Sequence, residues 1–385
     1  MKPLIRNLLR MSVYQILYMD SIPDSAVCNE ACKLAGKRKF VNLKGFVNGV
    51  LRKISSQKGD LPLPDKEKAP VTFLSVKYSM PEWLVEMWQK QYGTGLADTM
   101  LQGLLQIHPV SLRFVERLDG EEIKTLVQKI EKEGVELLRS PYSDHVYLAK
   151  KLSGIRELPG YEEGLFQIQD VSSYMAVKAM GITKDQVVMD VCAAPGGKSI
   201  LASELAKQVI SSDLTENKAE LIRENVERMG RDNVSVDVRD ARIFEPAYEN
   251  KADVLILDVP CSGLGILGKK RDIKYNVTKE SMDTICELQK EILKACYRYV
   301  KPGGILMYST CTVRKEENTQ MVQWILKELP FEPVSVLLDI PERLREDMEK
   351  TGDLNRDPDN CCVQMFPGVM DCDGFFFAKL RRKNV

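Results

Sequence analysis

The stretch MDVCAAPGGKS, residues 189–199, stands between a β-branched run and a segment with helical periodicity. The run Val187–Val191 predicts a buried strand, and Ser199–Ala206 predicts a helix. The turn between them consists mainly of small residues, including a pair of glycines, so a ligand can approach its backbone closely. The spacing of those glycines excludes a phosphate-binding P-loop, and the G-x-G-x-x-G dinucleotide pattern is absent. The stretch therefore predicts a ligand-binding loop after a first parallel strand, and this loop, Cys192–Lys198, is called the glycine loop.

From about residue 165 onward, short β-branched runs alternate with helical segments such as Thr215–Met229. Such alternation predicts an α/β fold with a mostly parallel, doubly wound sheet. A run rich in Phe near the C-terminus predicts one further buried strand. The predicted strands after the first are Gln208–Ser212, Val234–Val238, Val254–Asp258, Gly304–Tyr308 and Gly374–Leu380.

Two carboxylates follow successive predicted strands. Asp213 ends the second strand and Asp240 follows the third. Either residue alone is more often a helix cap or a turn residue. Since ligands of doubly wound sheets bind beyond the carboxyl ends of the strands, the pair predicts contacts with the ribose hydroxyls and the adenine of an adenosyl ligand.

Two cysteines occupy the same positions on the next two strands. Cys261 lies in DVPCSG (258–263) and Cys311 in STCT (309–312), so both fall at the ligand edge of adjacent strands. Cys286 and Cys296 lie on a helical face and are interpreted as small apolar residues. A thiolate that adds to C6 of cytosine makes C5 nucleophilic enough to attack a methyl sulfonium. We therefore expect methyl transfer to cytosine C5, with Asp258 placed as an acid near N3.

Composition narrows the remaining possibilities. The chain has 385 residues, zero formal net charge, ten cysteines and only two histidines, which disfavours histidine-based catalysis. We expect reduced thiols, no metal site, no membrane association and a cytoplasmic monomer. Residues 1–60 contain eleven Lys or Arg and four Asp or Glu. This basic surplus fits either phosphate contact or a solvated helical surface.

Four segments are predicted along the chain. Residues 1–56 have helical periodicity, 57–75 form a linker rich in Pro, Gly and charge, and 76–160 form a small α/β subdomain. Residues 161–385 then form the domain with the parallel sheet. Within the small subdomain we predict strands at Ser111–Val115, Val135–Leu138 and Val146–Leu148, and a helix at Gly120–Glu133.

Several separated motifs resemble the Nop2/Sun-type RNA cytosine-C5 methyltransferases. They are GLFQIQDVSS (164–173), DVCAAPGGKS (190–199), DVPCSGLG (258–265), STCTVRKEEN (309–318) and DGFFFAKL (373–380). The resemblance implies a Rossmann-like class I methyltransferase domain, S-adenosylmethionine as the cofactor and RNA as the substrate. It also implies that Cys311 is the nucleophile and that Cys261 helps to release the product. Cys261 belongs to a Pro-Cys (PC) motif and Cys311 to a Thr-Cys (TC) motif. DNA cytosine methyltransferases use the cysteine of a PC-type motif as the nucleophile, so this order comes from the family alone.

The resemblance also implies two sets of site residues. The catalytic set comprises Cys311, Cys261, Asp258 and Lys198. The cofactor contacts comprise Cys192, Ala193, Ala194, Pro195, Gly196, Gly197, Lys198, Asp213, Asp240 and Asp258.

The N-terminal segments resemble RNA-binding modules. Residues 1–56 are similar to the end of a NusB-like helical domain without its usual first helices, and 76–160 to an RRM-like subdomain. This order is similar to that of the bacterial Sun/Fmu subgroup, whose substrate is 16S rRNA. The basic segment KKRDIKY (269–275) lacks the family's usual Pro and Trp, but it keeps a charge suited to phosphate contact.

Three alternatives remain open: a transfer RNA cytosine-C5 methyltransferase, a non-catalytic RNA-binding scaffold, and a small-molecule or protein methyltransferase. A scaffold predicts the loss of Cys311, Asp258 or the glycine loop, all of which are intact. A small-molecule or protein methyltransferase would not need the paired cysteines.

Overall fold

The computed structural model describes residues 1–59, 62–106, 109–152, 154–352 and 359–384. It divides the chain into two compact units, Met1–Lys77 and Tyr78–Val385.

The first unit is helical. Its core is formed by apolar side chains that recur at helical spacing, such as Ile5, Ile16 and Leu51, all fully buried. The last helix begins at Pro70, so part of the predicted 57–75 linker is helical. The helices are α1 (Pro3–Tyr18), α2 (Asp24–Lys37), α3 (Lys44–Ser56) and α4 (Pro70–Tyr78).

The second unit opens with two helices and a small antiparallel sheet of order β2-β3-β1-β4. An Asp119 capping box starts the helix α7, whose buried side chains Ile123, Leu126 and Ile130 cover one face of this sheet. The fourth strand lies beyond the predicted boundary at residue 160, because the sheet is completed by part of GLFQI. The elements are α5 (Glu82–Tyr92), α6 (Thr94–Leu105), β1 (Val110–Phe114), α7 (Gly120–Lys132), β2 (Glu136–Arg139), β3 (Val146–Lys150) and β4 (Phe166–Ile168).

The main sheet follows, and its elements agree closely with the predicted alternation. They are α8 (Val171–Lys178), β5 (Val187–Asp190), α9 (Gly197–Leu205), β6 (Gln208–Asp213), α10 (Glu216–Arg228), β7 (Val234–Val238), β8 (Ala252–Asp258), α11 (Ile273–Asn276), α12 (Lys279–Cys296), β9 (Val300–Thr310), α13 (Thr319–Glu328), β10 (Phe331–Pro333), α14 (Glu342–Thr351), β11 (Cys362–Met365) and β12 (Phe375–Arg382).

The strand order of this sheet is β10-β12-β9-β8-β5-β6-β7, with β11 paired to β12. Strands β5 to β9 are mutually parallel, and β12 runs antiparallel to β9. The structure thereby confirms the predicted mostly parallel sheet. The chain proceeds from β5 outward to β6 and β7, then returns to the other side of β5 with β8. This reversal creates a crevice at the carboxyl ends of β5 and β8, where ligands of such sheets bind.

The central strands are apolar because helices cover both faces of the sheet. Val254, Leu255, Ile256 and Leu257 of β8 are each at most 1% exposed. Within the residues that the structure describes, no helix is both long and apolar enough to span a membrane.

Candidate functional site

The glycine loop turns sharply between β5 and α9. Gly196, which precedes the first residue of α9, has a φ of +101°, a left-handed conformation that side chains other than glycine rarely adopt. A Cβ atom at this position would lie 3.2 Å from Cγ2 of Ile222. The Ala194–Pro195 peptide bond is cis. The loop is also supported from the small sheet, since Nε2 of Gln167 donates a hydrogen bond to the Gly197 carbonyl at 3.1 Å.

The buried carboxyl group of Asp190 links the two ends of this loop. Asp190, at the end of β5, is 1% exposed, and its Oδ2 accepts a hydrogen bond from Ser199 Oγ at 2.7 Å. Burial raises the pKa of Asp190 to about 7. The side chain thus joins the last residue of β5 to the first turn of α9.

The two predicted adenosine-binding carboxylates differ in their surroundings. Asp213 is 5% exposed; its Oδ2 accepts from the Ala194 amide at 2.9 Å and its Oδ1 from Lys218 Nζ at 2.9 Å. Asp240 lies in the loop after β7 and forms a bidentate pair with Arg242, which lowers the Asp240 pKa. Both carboxylates face the same cavity.

The two predicted cysteines are brought together at the ends of adjacent parallel strands. Asp258 of β8 is in register with Ser309 of β9, which places the PC and TC motifs side by side. The sulfur atoms of Cys261 and Cys311 lie 3.2 Å apart, and both thiols are free. The hydrogen bond with Cys311 and burial together raise the pKa of Cys261. The Cys261 sulfur therefore holds its proton more strongly than an ordinary thiol does.

Lys198 and Asp258 form an ion pair close to these thiols. Nζ of Lys198 lies 2.6 Å from Oδ2 of Asp258, and Ser309 Oγ donates to Oδ1 at 2.8 Å. Burial alone would lower the pKa of Lys198, but the negative charge of Asp258 outweighs it and raises that pKa. The ammonium group also lies over the ring of Phe375, 5.3 Å from its centroid.

One cavity of about 730 Å³ is lined by the carboxylates at the end of β6 and after β7 and by both cysteines. Its lining includes seven of the predicted site residues, namely Cys192, Ala194, Asp213, Asp240, Asp258, Cys261 and Cys311. The other predicted residues, Ala193, Pro195, Gly196, Gly197 and Lys198, belong to the glycine loop or to the first turn of α9.

The basic segment after the PC motif is only partly available for phosphate contact. Lys269 pairs with Asp170 and Asp373 at 3.2 and 2.7 Å, and Lys274 donates to the Ser79 carbonyl. Lys270 lines the cavity. Two of its basic side chains thus hold the segment in place.

Sequence reasoning missed the residues that hold the PC motif itself. Glu317, fully buried, accepts a hydrogen bond from the Ser262 amide at 2.8 Å, and Gln289 of α12 donates to the Pro260 carbonyl at 2.9 Å. Glu317 lies within the quoted STCTVRKEEN motif, so the sequence offered a signal for it. The sequence held no signal for Gln289, because its hydrogen bond to the Pro260 carbonyl joins residues that are 29 positions apart.

A parallel sheet with a glycine loop after its first strand and carboxylates after the next two defines a Rossmann-like class I methyltransferase. A sequence profile of the 16S rRNA methyltransferase RsmB/F family matches residues 177–381, and one of the NusB family matches residues 1–56. The chain belongs to the RsmB/F family.

Named relatives agree with this assignment. The chain is 35% identical to a probable ribosomal RNA small subunit methyltransferase B of Bacillus subtilis, over 100% of this chain and 84% of the relative. It is 32% identical to the ribosomal RNA small subunit methyltransferase B of Citrobacter koseri, over 98% and 82%. The crystal structure of PH0851 is similar, with a TM-score of 0.78 and 26% identity over 99% of this chain and 83% of that one. NSun6 from Pyrococcus horikoshii with SFG shares the fold, with a TM-score of 0.64 and 21% identity over 79% and 99%.

Proposed function

We propose that this protein transfers a methyl group from S-adenosylmethionine to C5 of a cytosine in RNA, with 16S rRNA as the substrate. The relatives named above are ribosomal RNA small subunit methyltransferases, which supports the substrate class. The observation that carries the reaction is the pair of free thiols, 3.2 Å apart, in the same cavity as the glycine loop.

The residues of the cavity fit this cofactor. Asp213 and Asp240 offer carboxylate oxygens for hydroxyl and amino groups, and Leu214 and Ala241 offer apolar surface for a purine. The left-handed Gly196 lets the loop turn sharply into α9, at a position where a Cβ atom would meet Ile222. When bound, S-adenosylmethionine supplies an electrophilic methyl group on a sulfonium.

Cys311 is assigned as the nucleophile. Its thiolate forms a bond with C6 of cytosine, and the electron pair of the C5=C6 bond makes C5 able to attack the methyl carbon. The two sulfur atoms lie 3.2 Å apart, so a proton on Cys261 can be shared with a Cys311 thiolate. The order of the two cysteines therefore follows the family resemblance.

The ion pair is assigned to the ring nitrogen and amino group of the cytosine. A carboxylate that accepts from Lys198 and Ser309 has no proton to give while it is ionised. The Lys198–Asp258 pair, rather than Asp258 alone, therefore stabilises the charge that develops at N3 as Cys311 adds to C6.

Cys261 is assigned to release. A base takes the C5 proton, the electron pair of the broken C5–H bond restores the C5=C6 double bond, and the C6–S bond breaks to expel Cys311 as a thiolate. Cys261, 3.2 Å away, donates its S–H hydrogen bond to the sulfur that leaves. Stabilisation of the departing thiolate speeds this step.

The decisive experiment uses S-adenosylmethionine labelled in its methyl group, with 16S rRNA and transfer RNA offered separately. We expect label in 16S rRNA as 5-methylcytosine, and none with Cys311→Ser. Label in transfer RNA alone would change the substrate, and label at a ribose or an exocyclic nitrogen would overturn the reaction.

A further inference from the structure

A buried carboxylate and an amide hold the backbone of the PC motif on both sides of its cysteine. Oε2 of Glu317 accepts from the Ser262 amide at 2.8 Å, directly after Cys261. Nε2 of Gln289 donates to the Pro260 carbonyl at 2.9 Å, directly before Cys261, and lies 3.3 Å from the same Glu317 oxygen. The backbone on both sides of Cys261 is thus held by the side chains of Glu317 and Gln289, which also contact each other.

The same carboxylate belongs to the segment that carries the other cysteine. Glu317 lies in the segment that follows Cys311, and its backbone carbonyl accepts from Tyr308 Oη at 2.6 Å, which fixes it to β9. A second cross-link joins the two motifs, where the hydroxyl groups of Ser262 and Thr312 lie 2.8 Å apart. These contacts join the two segments that carry the cysteines.

Glu317 is 0% exposed, so its charge acts at short range with little solvent screening. Burial raises its own pKa, but the Ser262 amide and the Arg314 guanidinium, 3.8 Å from Oε1, favour the ionised form. Its negative charge contributes, after the Cys311 hydrogen bond and burial, to the raised pKa of Cys261. The titratable groups around the two thiols and this carboxylate are Arg314 and Glu317 after β9, Tyr308 in β9, Cys286 in α12, Asp258 in β8 and Lys198 in α9.

We propose that Glu317 is a positioning residue that, with Gln289, holds Cys261 against Cys311 and keeps the proton of the pair on Cys261. This role rests on the proposed function, because it distinguishes the attacking sulfur from the releasing one. Without the carboxylate, Cys261 ionises more readily, and the two thiols become more alike. The release step then slows, because Cys261 donates its hydrogen bond less often.

The test compares Glu317→Gln with the matched control Glu316→Gln in the full chain. Glutamine at 317 retains an oxygen for the Ser262 amide but removes the charge. Glu316 carries the same charge one residue away and instead contacts Gln91 and Arg314. Iodoacetamide alkylation of the Cys261 peptide, followed by mass spectrometry across a pH series, reports on the thiol without any RNA.

We expect Glu317→Gln to raise the Cys261 alkylation rate at neutral pH about tenfold, since removal of a nearby negative charge favours the thiolate. With RNA and cofactor, the same variant should accumulate covalent adduct and release product about tenfold more slowly. Glu316→Gln should match the wild type in both assays. Should Glu317→Gln fail to fold, Gln289→Met removes the other hydrogen bond and is expected to shift alkylation in the same direction.

A folded Glu317→Gln, or failing that a folded Gln289→Met, whose Cys261 alkylation profile coincides with the wild type would overturn the inference. If the wild type methylates no RNA, the proposed function fails, while the alkylation comparison still decides the role of Glu317.

Discussion

Replacement of Gly265 by alanine would place a methyl group where three backbone segments meet. The added Cβ would lie 1.9 Å from the Gly374 carbonyl oxygen and 2.8 Å from that of Cys311. Gly265 also donates to the Cys311 carbonyl at 3.0 Å and accepts from the Gly374 amide at 3.0 Å. Every atom in the way is backbone, so no flexible side chain can move aside.

The required displacement follows from these distances. Real Cβ contacts do not fall below 3.0 Å, so the Gly374 oxygen must retreat from 1.9 Å by roughly 1 Å. Overpacking of this kind costs about 2–3 kcal/mol, which for a unit of this size lowers Tm by about 5 °C. Since the Cys311 carbonyl belongs to the same contact, a shift of this size should lower kcat about 100-fold.

The assay pairs thermal unfolding with methyl transfer, and Gly95→Ala is the control. A Cβ on Gly95, in helix α6, meets nothing within 4 Å. Alanine there should leave kcat unchanged and alter the free energy of unfolding by less than about 1 kcal/mol in the stabilising direction. If Gly265→Ala retained the Tm and the kcat of the wild type, the close approach of the two cysteine motifs would be wrong.

Two further changes probe the ligand edge of the sheet. Lys198→Met removes the ion-pair partner of Asp258 and should lower kcat about 100-fold or more. The control Lys207→Met, just beyond the same helix, should leave kcat unchanged. An equal loss of kcat in both variants would refute the role of the ion pair. Asp190→Asn should raise Tm more at about pH 8 than at about pH 5. The pKa of Asp190 is about 7 in the folded state and 3.8 in the unfolded state, so the wild-type free energy of unfolding decreases as the pH rises from 3.8 to about 7. A Tm difference between variant and wild type that does not change with pH would contradict this.

Much of the fold could be predicted from the sequence because the signals were local. The strand Val234–Val238 has the predicted bounds, and the other predicted strands of the main sheet overlap the observed ones. The adjacency of the PC and TC motifs follows from the confirmed parallel sheet. The short strands β10 and β11 and the helix α14 were missed because their sequence patterns are weak. The strand β10 also pairs with β12, which lies far along the chain. The strand β4 lies beyond the predicted boundary at residue 160, because it pairs with β1 of the small sheet, which is formed earlier in the sequence.

The candidate site also has a part that the sequence predicted and a part that it did not. Motif spacing predicted which strands carry Asp213, Cys261 and Cys311, and the structure places all three around one cavity. Their partners were not predictable, because contacts such as that of Gln289 with Pro260 depend on how distant segments fold together. In the basic segment 269–275, the composition suggested charges available for phosphate contact, but Lys269 forms ion pairs with two aspartates.

The assignment of Cys311 as nucleophile and Cys261 as release partner is tested most directly by trapping the covalent intermediate. The Cys261→Ala variant is incubated with RNA and S-adenosylmethionine, separated under denaturing conditions, and digested for mass spectrometry of the nucleotide-linked peptide. We predict an adduct that withstands denaturation and maps to Cys311, with none formed by Cys311→Ala. An adduct that accumulates in Cys311→Ala and maps to Cys261 would contradict the account.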